Sequence, residues 1–110
     1  MRALQAMEPW GLEHLTIVER PEPTPGHGEV LVRMKAVSLN YRDLLMVNGA
    51  YSRGPAIAGS LTPFSDGCGV VEAVGPGVTR VAVGDRVSTL FFQNWNSGRA
   101  TVANLTSSLG

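Results

Sequence analysis

Cysteine and aromatic residues are scarce in this chain of 110 residues, and long apolar runs are missing. The single cysteine, Cys68, excludes an internal disulfide and fits a reducing compartment, so we expect a cytoplasmic location. No stretch approaches the roughly 18 to 20 consecutive apolar residues of a membrane-spanning helix. The first residues show no export signal. The sequence therefore predicts no membrane partner.

An excess of charge of either sign is missing as well. Nine basic and nine acidic residues cancel, and the basic residues are scattered, with Lys35 as the only lysine. Nucleic-acid-binding domains carry clustered positive charge, so we expect no nucleic-acid partner. A hydrophobic content of 44% suits one globular domain of this length.

Glycine and proline are plentiful, with 13 and 7 residues, as is typical of short strands joined by tight turns. In the clearest strand pattern the apolar residues Val30, Val32, Met34 and Ala36 fall on one face. The pattern as a whole predicts a mainly β fold. Five segments have the alternation or the β-branched composition of strands: residues 2–7, 15–18, 29–39, 67–75 and 86–92.

The period of the sequence changes at Asn40. Residues 40–48 show helical spacing, Asn40 is a favourable N-cap, and Asp43 stands where a reciprocal capping contact forms. Gly49 then suits the left-handed residue that ends a helix. We therefore predict one short helix of about two turns, since the helical spacing extends no further.

Two segments give no regular pattern. Residues 51–62 are rich in Gly, Ser, Pro and Ala, and we predict a loop there. Residues 93–110 are turn-like, small and polar, with no strand or helix pattern. We therefore expect a core at residues 1–92 followed by an incomplete C-terminal segment.

Four motifs stand in a characteristic order. They are Pro-Gly-x-Gly-Glu-Val-Leu-Val-Arg from Pro25, Ser-Leu-Asn-Tyr-Arg-Asp from Ser38, Asp-Gly-Cys-Gly-Val-Val-Glu-Ala-Val-Gly from Asp66 and Val-Gly-Asp-Arg-Val from Val83. Together they resemble the N-terminal, GroES-like catalytic domain of medium-chain dehydrogenases and reductases, and most of all its zinc-free, quinone-reductase-like members. The resemblance implies a partly open GroES-like β-barrel with one short helix, whose C-terminal part is incomplete.

The sequence departs from the zinc-binding relatives at the metal position. Those relatives place a cysteine where this chain has Asn40, a His-Glu pair where it has Ser65-Asp66, and a proton-relaying Ser or Thr where it has Arg42. Catalytic zinc prefers sulfur and imidazole ligands, so we expect no metal. No Gly-x-Gly-x-x-Gly followed by a helix is present either, so we expect no Rossmann domain within these residues.

The resemblance implies that the intact protein is an oxidoreductase that transfers hydride between NADPH, in preference to NADH, and a small carbonyl, quinone or activated alkene. It also implies a homo-oligomer. Asn40, Tyr41 and Asp66 are the expected catalytic residues, and Asn40, Tyr41 and Arg42 the expected cofactor contacts. Because this domain forms one wall of the cleft, we expect the chain to be inactive alone.

Simpler roles stay open for each residue. Asn40 can be a helix cap only, Tyr41 a packing aromatic, Arg42 a charge near a helix start, and Asp66 a hydrogen-bonding support. Two other functions also stay open. One is a free-standing GroES-like binding or co-chaperonin-type module, and the other is a zinc alcohol dehydrogenase with atypical ligands.

Overall fold

A computed structural model describes residues 1–49 and 59–110. Its strands form two antiparallel sheets, which do not close into a complete barrel. This confirms the mainly β, partly open barrel that the sequence predicts. The strands are β1 (Arg2–Ala6), β2 (Leu15–Glu19), β3 (Val30–Ser38), β4 (Asp66–Val74) and β5 (Arg86–Ser88), and the helices are α1 (Tyr41–Val47) and α2 (Val102–Leu105), with a 3-10 helix at Leu12–His14.

The smaller sheet pairs β1 with β2, from Arg2 opposite Glu19 to Ala6 opposite Leu15. The chain between these strands turns through Trp10 and Gly11, which have φ angles of 64° and 111°. Glycine adopts such an angle readily, whereas tryptophan does so at some cost. Ala6 also forms a bridge with Leu61, which ties this sheet to the segment that leads into β4.

The larger sheet has the order β3-β4-β5. Its two long strands approach closely because β4 carries glycines: a Cβ on Gly69 would overlap the backbone carbonyl of Arg33. On the outer face, the Arg33 guanidinium bonds to the Glu72 carboxylate. That hydrogen bond, with the Coulomb attraction of Glu72, raises the pKa of Arg33 above its ordinary value.

The prediction that every second residue of β3 lies on one apolar face holds only up to Met34. Val30, Val32 and Met34 line one cavity, as expected. The pairing then skips a residue, since Met34 lies opposite Gly69 and Ala36 opposite Cys68. Such a bulge shifts the alternation by one position, and Val37 accordingly joins Met34 along the neighbouring cavity. The prediction that Ala36 continues the apolar face is therefore wrong.

The predicted helix is confirmed at Tyr41–Val47. The predicted last strand, 86–92, is shorter in the structure, at Arg86–Ser88. The next residue, Thr89, uses its side-chain hydroxyl to bond the Gly67 amide and the Ser65 carbonyl. Within the predicted loop at 51–62, residues 51–58 lie outside the described part of the chain.

The C-terminal segment has more structure than its sequence indicates. Helix α2 is a single turn that begins with a capping box between Thr101 and Asn104, and Phe92 forms a bridge with Ser108. Our expectation of no strand or helix pattern after Gln93 is therefore wrong. A single turn stabilised mainly by its cap carries too few apolar residues to produce a visible period.

The core of the described residues is small. Its buried apolar residues include Ala6, Val47, Pro63 and Val71, and the chain exposes 7813 Å². A compact monomer of 11.7 kDa would expose only about 5,900 Å². Large apolar side chains therefore remain at the surface. Among the described residues, no helix has the length and apolar character to cross a membrane.

Candidate active site

The site lies where β3 ends and β4 begins. The antiparallel register sets Ser38 opposite Asp66, and α1 begins three residues after Ser38, with Asn40 as its N-cap. This brings the side chain of Asn40 against Asp66, although the two residues are 26 positions apart, and Asn40 Nδ2 donates a hydrogen bond to Asp66 Oδ2 at 2.6 Å. Two of the predicted catalytic residues are therefore in direct contact.

Asp66 is held by a second donor and by a network behind it. The hydroxyl of Ser65 donates to the same oxygen, Asp66 Oδ2, at 3.1 Å. Ser65 is only 4% exposed, and its carbonyl accepts a hydrogen bond from the Thr89 hydroxyl at 2.9 Å. Thr89 Oγ1 also accepts from the Gly67 amide at 3.1 Å. These contacts fix the carboxylate that orients Asn40.

Sequence reasoning missed the supporting roles of Ser65 and Thr89. Ser65 stood out only as a replaced metal ligand, and its position next to Asp66 was the available signal. Thr89 gave no local signal, because its contact with Ser65 spans 24 positions and depends on how β5 pairs with β4. Such contacts become visible only once the strand register is known.

The start of α1 fixes the backbone of Asn40. Asn40 and Asp43 stand in a capping-box arrangement. The backbone N–H of Asn40 donates to the Asp43 carboxylate at 2.8 Å, and the backbone N–H of Asp43 donates to the backbone carbonyl of Asn40 at 3.0 Å. Asp43 is 5% exposed, and within the described residues its Oδ1 is buried without a hydrogen-bond partner. The cap therefore holds the main chain while the Asn40 side chain reaches Asp66.

Tyr41, the first residue of α1, projects outward. Its side chain is 74% exposed, and it borders a cavity of about 490 Å³ that also includes Asn40. Most of the other residues around this cavity are apolar: Leu4, Leu12, Leu15, Leu39, Leu44, Val47 and Phe64. Tyr41 therefore borders a mainly apolar surface to which Asn40 also contributes.

Arg42 points away from that pair. Its guanidinium donates to the backbone carbonyls of Leu109 and Gly110, each at 3.2 Å, and lies 4.7 Å from the centre of the Phe91 ring. These partners are 67 and 68 residues away in sequence, so no local pattern predicts the contact. The structure thus brings Asn40 and Asp66 together and places Arg42 against the end of the chain. The cofactor role of Arg42 stays a prediction.

The donor atoms at this site suit hydrogen bonding better than metal binding. In the described part of the chain, no three His, Cys, Asp or Glu side chains lie close enough together to hold a metal ion. Asp66 supplies carboxylate oxygens, Ser65 a hydroxyl, and Asn40 an amide whose nitrogen already donates to Asp66. Zinc prefers thiolate and imidazole ligands, so this donor set does not fit it.

Comparison with known proteins identifies similar chains. A family model described as the alcohol dehydrogenase GroES-like domain matches residues 26–109. The zinc-type alcohol dehydrogenase-like protein C1773.06c of Schizosaccharomyces pombe is 43% identical over 83 residues, which cover 76% of this chain and 23% of that protein.

Two solved structures show the same similarity. Escherichia coli quinone oxidoreductase complexed with NADPH matches with a TM-score of 0.69 at 30% identity, over 80% of this chain and 26% of that one. A cobalt- and zinc-bound thermostable alcohol dehydrogenase from Pyrobaculum aerophilum matches with a TM-score of 0.71 at 42% identity, over 84% and 26%. The chain thus spans about a quarter of the length of these relatives.

Proposed function

The chain belongs to the alcohol dehydrogenase GroES-like domain family, and its relatives are medium-chain oxidoreductases. From this premise we propose that it forms the catalytic-domain wall of an NAD(P)H-dependent oxidoreductase. The reaction is hydride transfer between NADPH and a small carbonyl, quinone or activated alkene. Because the chain spans about a quarter of its relatives, we expect the 110 residues alone to be inactive.

The contact between Asn40 and Asp66, beside the exposed Tyr41, is the observation that carries this proposal. An exposed amide that is oriented by a fixed carboxylate is a prepared hydrogen-bond donor. The hydrogen bond that the Asp43 carboxylate accepts at the start of α1 comes from the backbone N–H of Asn40. The side-chain contact with Asp66 is additional to the cap, and this favours a site over a cap alone.

The roles of the residues follow from these contacts. NADPH supplies the hydride when it is bound. The second N–H of Asn40 Nδ2 has only a long contact, 3.4 Å, with the Ser38 carbonyl, so it is available to an acceptor oxygen. Donors aimed at an oxygen that gains negative charge stabilise the transition state. Asp66 acts as a positioning residue, and Tyr41 offers a hydroxyl and a ring wall.

The proposed enzyme works without zinc. This rests on the donor set, since Asn40, Ser65 and Asp66 replace the sulfur and nitrogen ligands that zinc prefers. The cobalt- and zinc-bound Pyrobaculum relative makes the point testable. We expect metal analysis of purified protein to find less than stoichiometric zinc, and one zinc per chain would contradict the proposal.

The preference for NADPH rests on relatives that were solved in complex with NADPH, among them the E. coli quinone oxidoreductase. The acceptor class rests on the same relative and on the cavity beside Tyr41, whose apolar walls suit a quinone ring or an aldehyde with an apolar tail. We also propose that the intact protein is a homo-oligomer.

NMR tests the site directly on this chain. Titration with NADPH should shift the side-chain amide of Asn40 and the ring of Tyr41, even if binding is weak. Asp66→Ala should remove the Asn40 response, because the amide loses the acceptor that orients it. Thr79→Ala, at an exposed position between β4 and β5, is the matched control and should leave the response unchanged. Shifts that avoid Asn40 and Tyr41 would overturn the assignment, and steady NADPH oxidation by the chain with a quinone would overturn its expected inactivity.

A further inference from the structure

Helix α1 ends at an Asn-Gly pair. Asn48 is the C-cap of the helix, with φ and ψ of −82° and 0°, and Gly49 follows in the left-handed region with a φ of 70°. Asn48 is exposed, and within residues 1–49 and 59–110 no hydrogen bond holds its side-chain amide. This side chain can therefore turn toward the backbone nitrogen of Gly49.

Asn48 differs from the other asparagines of the chain in the residue that follows it. The residues after the others are larger, and each carries a Cβ beside its backbone nitrogen: Tyr41, Trp95, Ser97 and Leu105. Glycine has no Cβ and the widest backbone freedom of any residue. The backbone nitrogen of Gly49 therefore approaches the preceding asparagine side chain with less steric hindrance than its counterparts do.

We propose that Asn48 is a site of spontaneous deamidation, in which the backbone nitrogen of Gly49 attacks Cγ of the Asn48 side chain. The new N–Cγ bond closes a cyclic succinimide, the attacking nitrogen gives its proton to hydroxide, and the side-chain nitrogen leaves as ammonia. Water then opens the ring. Attack of water at Cγ gives aspartate, and attack at the main-chain carbonyl carbon gives isoaspartate, whose peptide bond runs through the side chain. This inference does not depend on the proposed reaction.

The end of the helix controls how often the ring can close. The backbone N–H of Gly49 donates to the Met46 carbonyl at 3.0 Å, and the backbone N–H of Asn48 donates to the Leu44 carbonyl at 3.0 Å. The Gly49 nitrogen reacts only after its bond to Met46 has opened. Because helix ends fray at a small cost in free energy, these bonds delay the reaction without preventing it.

Deamidation changes the charge at this end of α1. The product carries a carboxylate beside the last carbonyls of the helix, where the helix dipole disfavours negative charge. The last turn of Tyr41–Val47 contains no basic residue to compensate for it. Isoaspartate also lengthens the main chain by a methylene group. The modification therefore loosens the last turn of α1, and it makes the formally neutral chain negative.

Peptide mapping after incubation at neutral and at mildly alkaline pH tests the site. Trypsin should release residues 43–53, in which Asn48 is the only asparagine, and residues 36–42, in which Asn40 is the only one. We expect peptide 43–53 to gain the mass of amide-to-acid conversion, and to do so faster at higher pH, because the attack needs a deprotonated nitrogen. Peptide 36–42 should stay unmodified. Equal conversion of the two peptides, or none in 43–53, would overturn the proposal.

The isoaspartate content of peptide 43–53 tests the ring mechanism. Direct hydrolysis of the side-chain amide gives aspartate alone, whereas opening of the ring gives both products. Methylation by an isoaspartyl methyltransferase with S-adenosylmethionine should therefore label the converted peptide. Converted peptide that takes up no methyl group would contradict ring closure by Gly49.

Two glycine substitutions separate this chemistry from backbone strain. Gly49→Ala should slow the conversion about tenfold, because a methyl group shields the attacking nitrogen. Gly98 also has a left-handed φ, 81°, and a Cβ there would have nothing within 4 Å. Gly98→Ala therefore introduces comparable strain and should leave the rate unchanged. Equal rates for the two variants would contradict the role of Gly49.

Unfolding in urea tests the control by the helix end. Urea releases the Gly49 nitrogen from the Met46 carbonyl, so conversion in peptide 43–53 should become faster than in the folded chain. Gly49→Ala should remain slow in urea, where a change in folding cannot explain its effect. Conversion that is no faster in urea would contradict control by the helix end, and a Gly49→Ala variant as fast there as the unchanged chain would overturn the proposed attack.

Discussion

Asn40 uses its backbone and its side chain for different contacts. The backbone belongs to the helix cap with Asp43, and the side-chain amide belongs to Asp66. The two roles that the sequence leaves open are therefore compatible, because they use different atoms. The sequence predicted the cap from residue types alone, whereas the contact with Asp66 depends on strand pairing and was implied only by the family resemblance.

Asp43 provides a prediction about the cap. Asp43→Ala removes the acceptor for the backbone N–H of Asn40 and should lower the free energy of unfolding by about 1–2 kcal/mol. Asp43→Asn keeps an acceptor oxygen for the backbone N–H of Asn40, so it should cost less than Ala. Urea unfolding followed by circular dichroism measures both. Equal losses would show that the Asn40 contact contributes nothing.

Phe64 provides a second prediction at this scale. Its φ of 85° lies in the left-handed region, where a Cβ costs about 1 kcal/mol. Phe64→Gly and Phe64→Ala both remove the ring, so their difference isolates the backbone. We expect the Gly variant to be the more stable by about 1 kcal/mol. At Thr16, in strand β2, the same pair of substitutions should show the opposite order. The same order at both positions would refute backbone strain at Phe64.

At the scale of elements, the pairing of β3 with β4 holds the site together. The sequence predicted both strands and α1 because each has its own period or cap. It did not predict the bulge at Lys35 or the shortening of β5, since both depend on contacts with neighbouring strands. Helix α2 was missed because a single turn has no period.

Two glycines of β4 provide a prediction about this pairing. A Cβ on Gly69 would meet the Arg33 carbonyl, which is backbone, whereas a Cβ on Gly67 would meet the flexible end of Met34. Gly69→Ala should therefore lower the free energy of unfolding by about 2–3 kcal/mol, and Gly67→Ala by clearly less. Thermal and urea unfolding compare the two variants. A larger loss for Gly67→Ala would mean that the strand spacing differs from that described.

At the scale of the whole molecule, Arg42 joins the site helix to the last residues of the chain. Its guanidinium binds the carbonyls of Leu109 and Gly110 and stacks on Phe91. Arginine supplies several donors in one plane and stacks on rings, which lysine does not match. The resemblance suggested a cofactor contact for Arg42, and the structure adds a second, internal role.

The contacts of Arg42 with the end of the chain can be tested by hydrogen exchange. Arg42→Ala should loosen the chain end and speed hydrogen exchange of the Leu109 amide, which bonds to the Phe91 carbonyl, by about tenfold. Arg42→Lys should give an intermediate rate, since one ammonium replaces a fork of donors. The Val71 amide, bonded to the Asp85 carbonyl, serves as the internal control. Unchanged exchange at Leu109 would show that other contacts hold the chain end.

The hydrogen bond between Asn40 and Asp66 spans 26 positions, so it closes a loop whose two ends are fixed by separate elements. The entropy of closing a loop grows only slowly with length, and doubling the loop costs about 0.6 kcal/mol. A change of a few residues in the length of the chain between Gly49 and Gly59 should therefore alter this closure entropy by only a fraction of that amount. The polar pair is thus insulated from variation in length in the segment beside it.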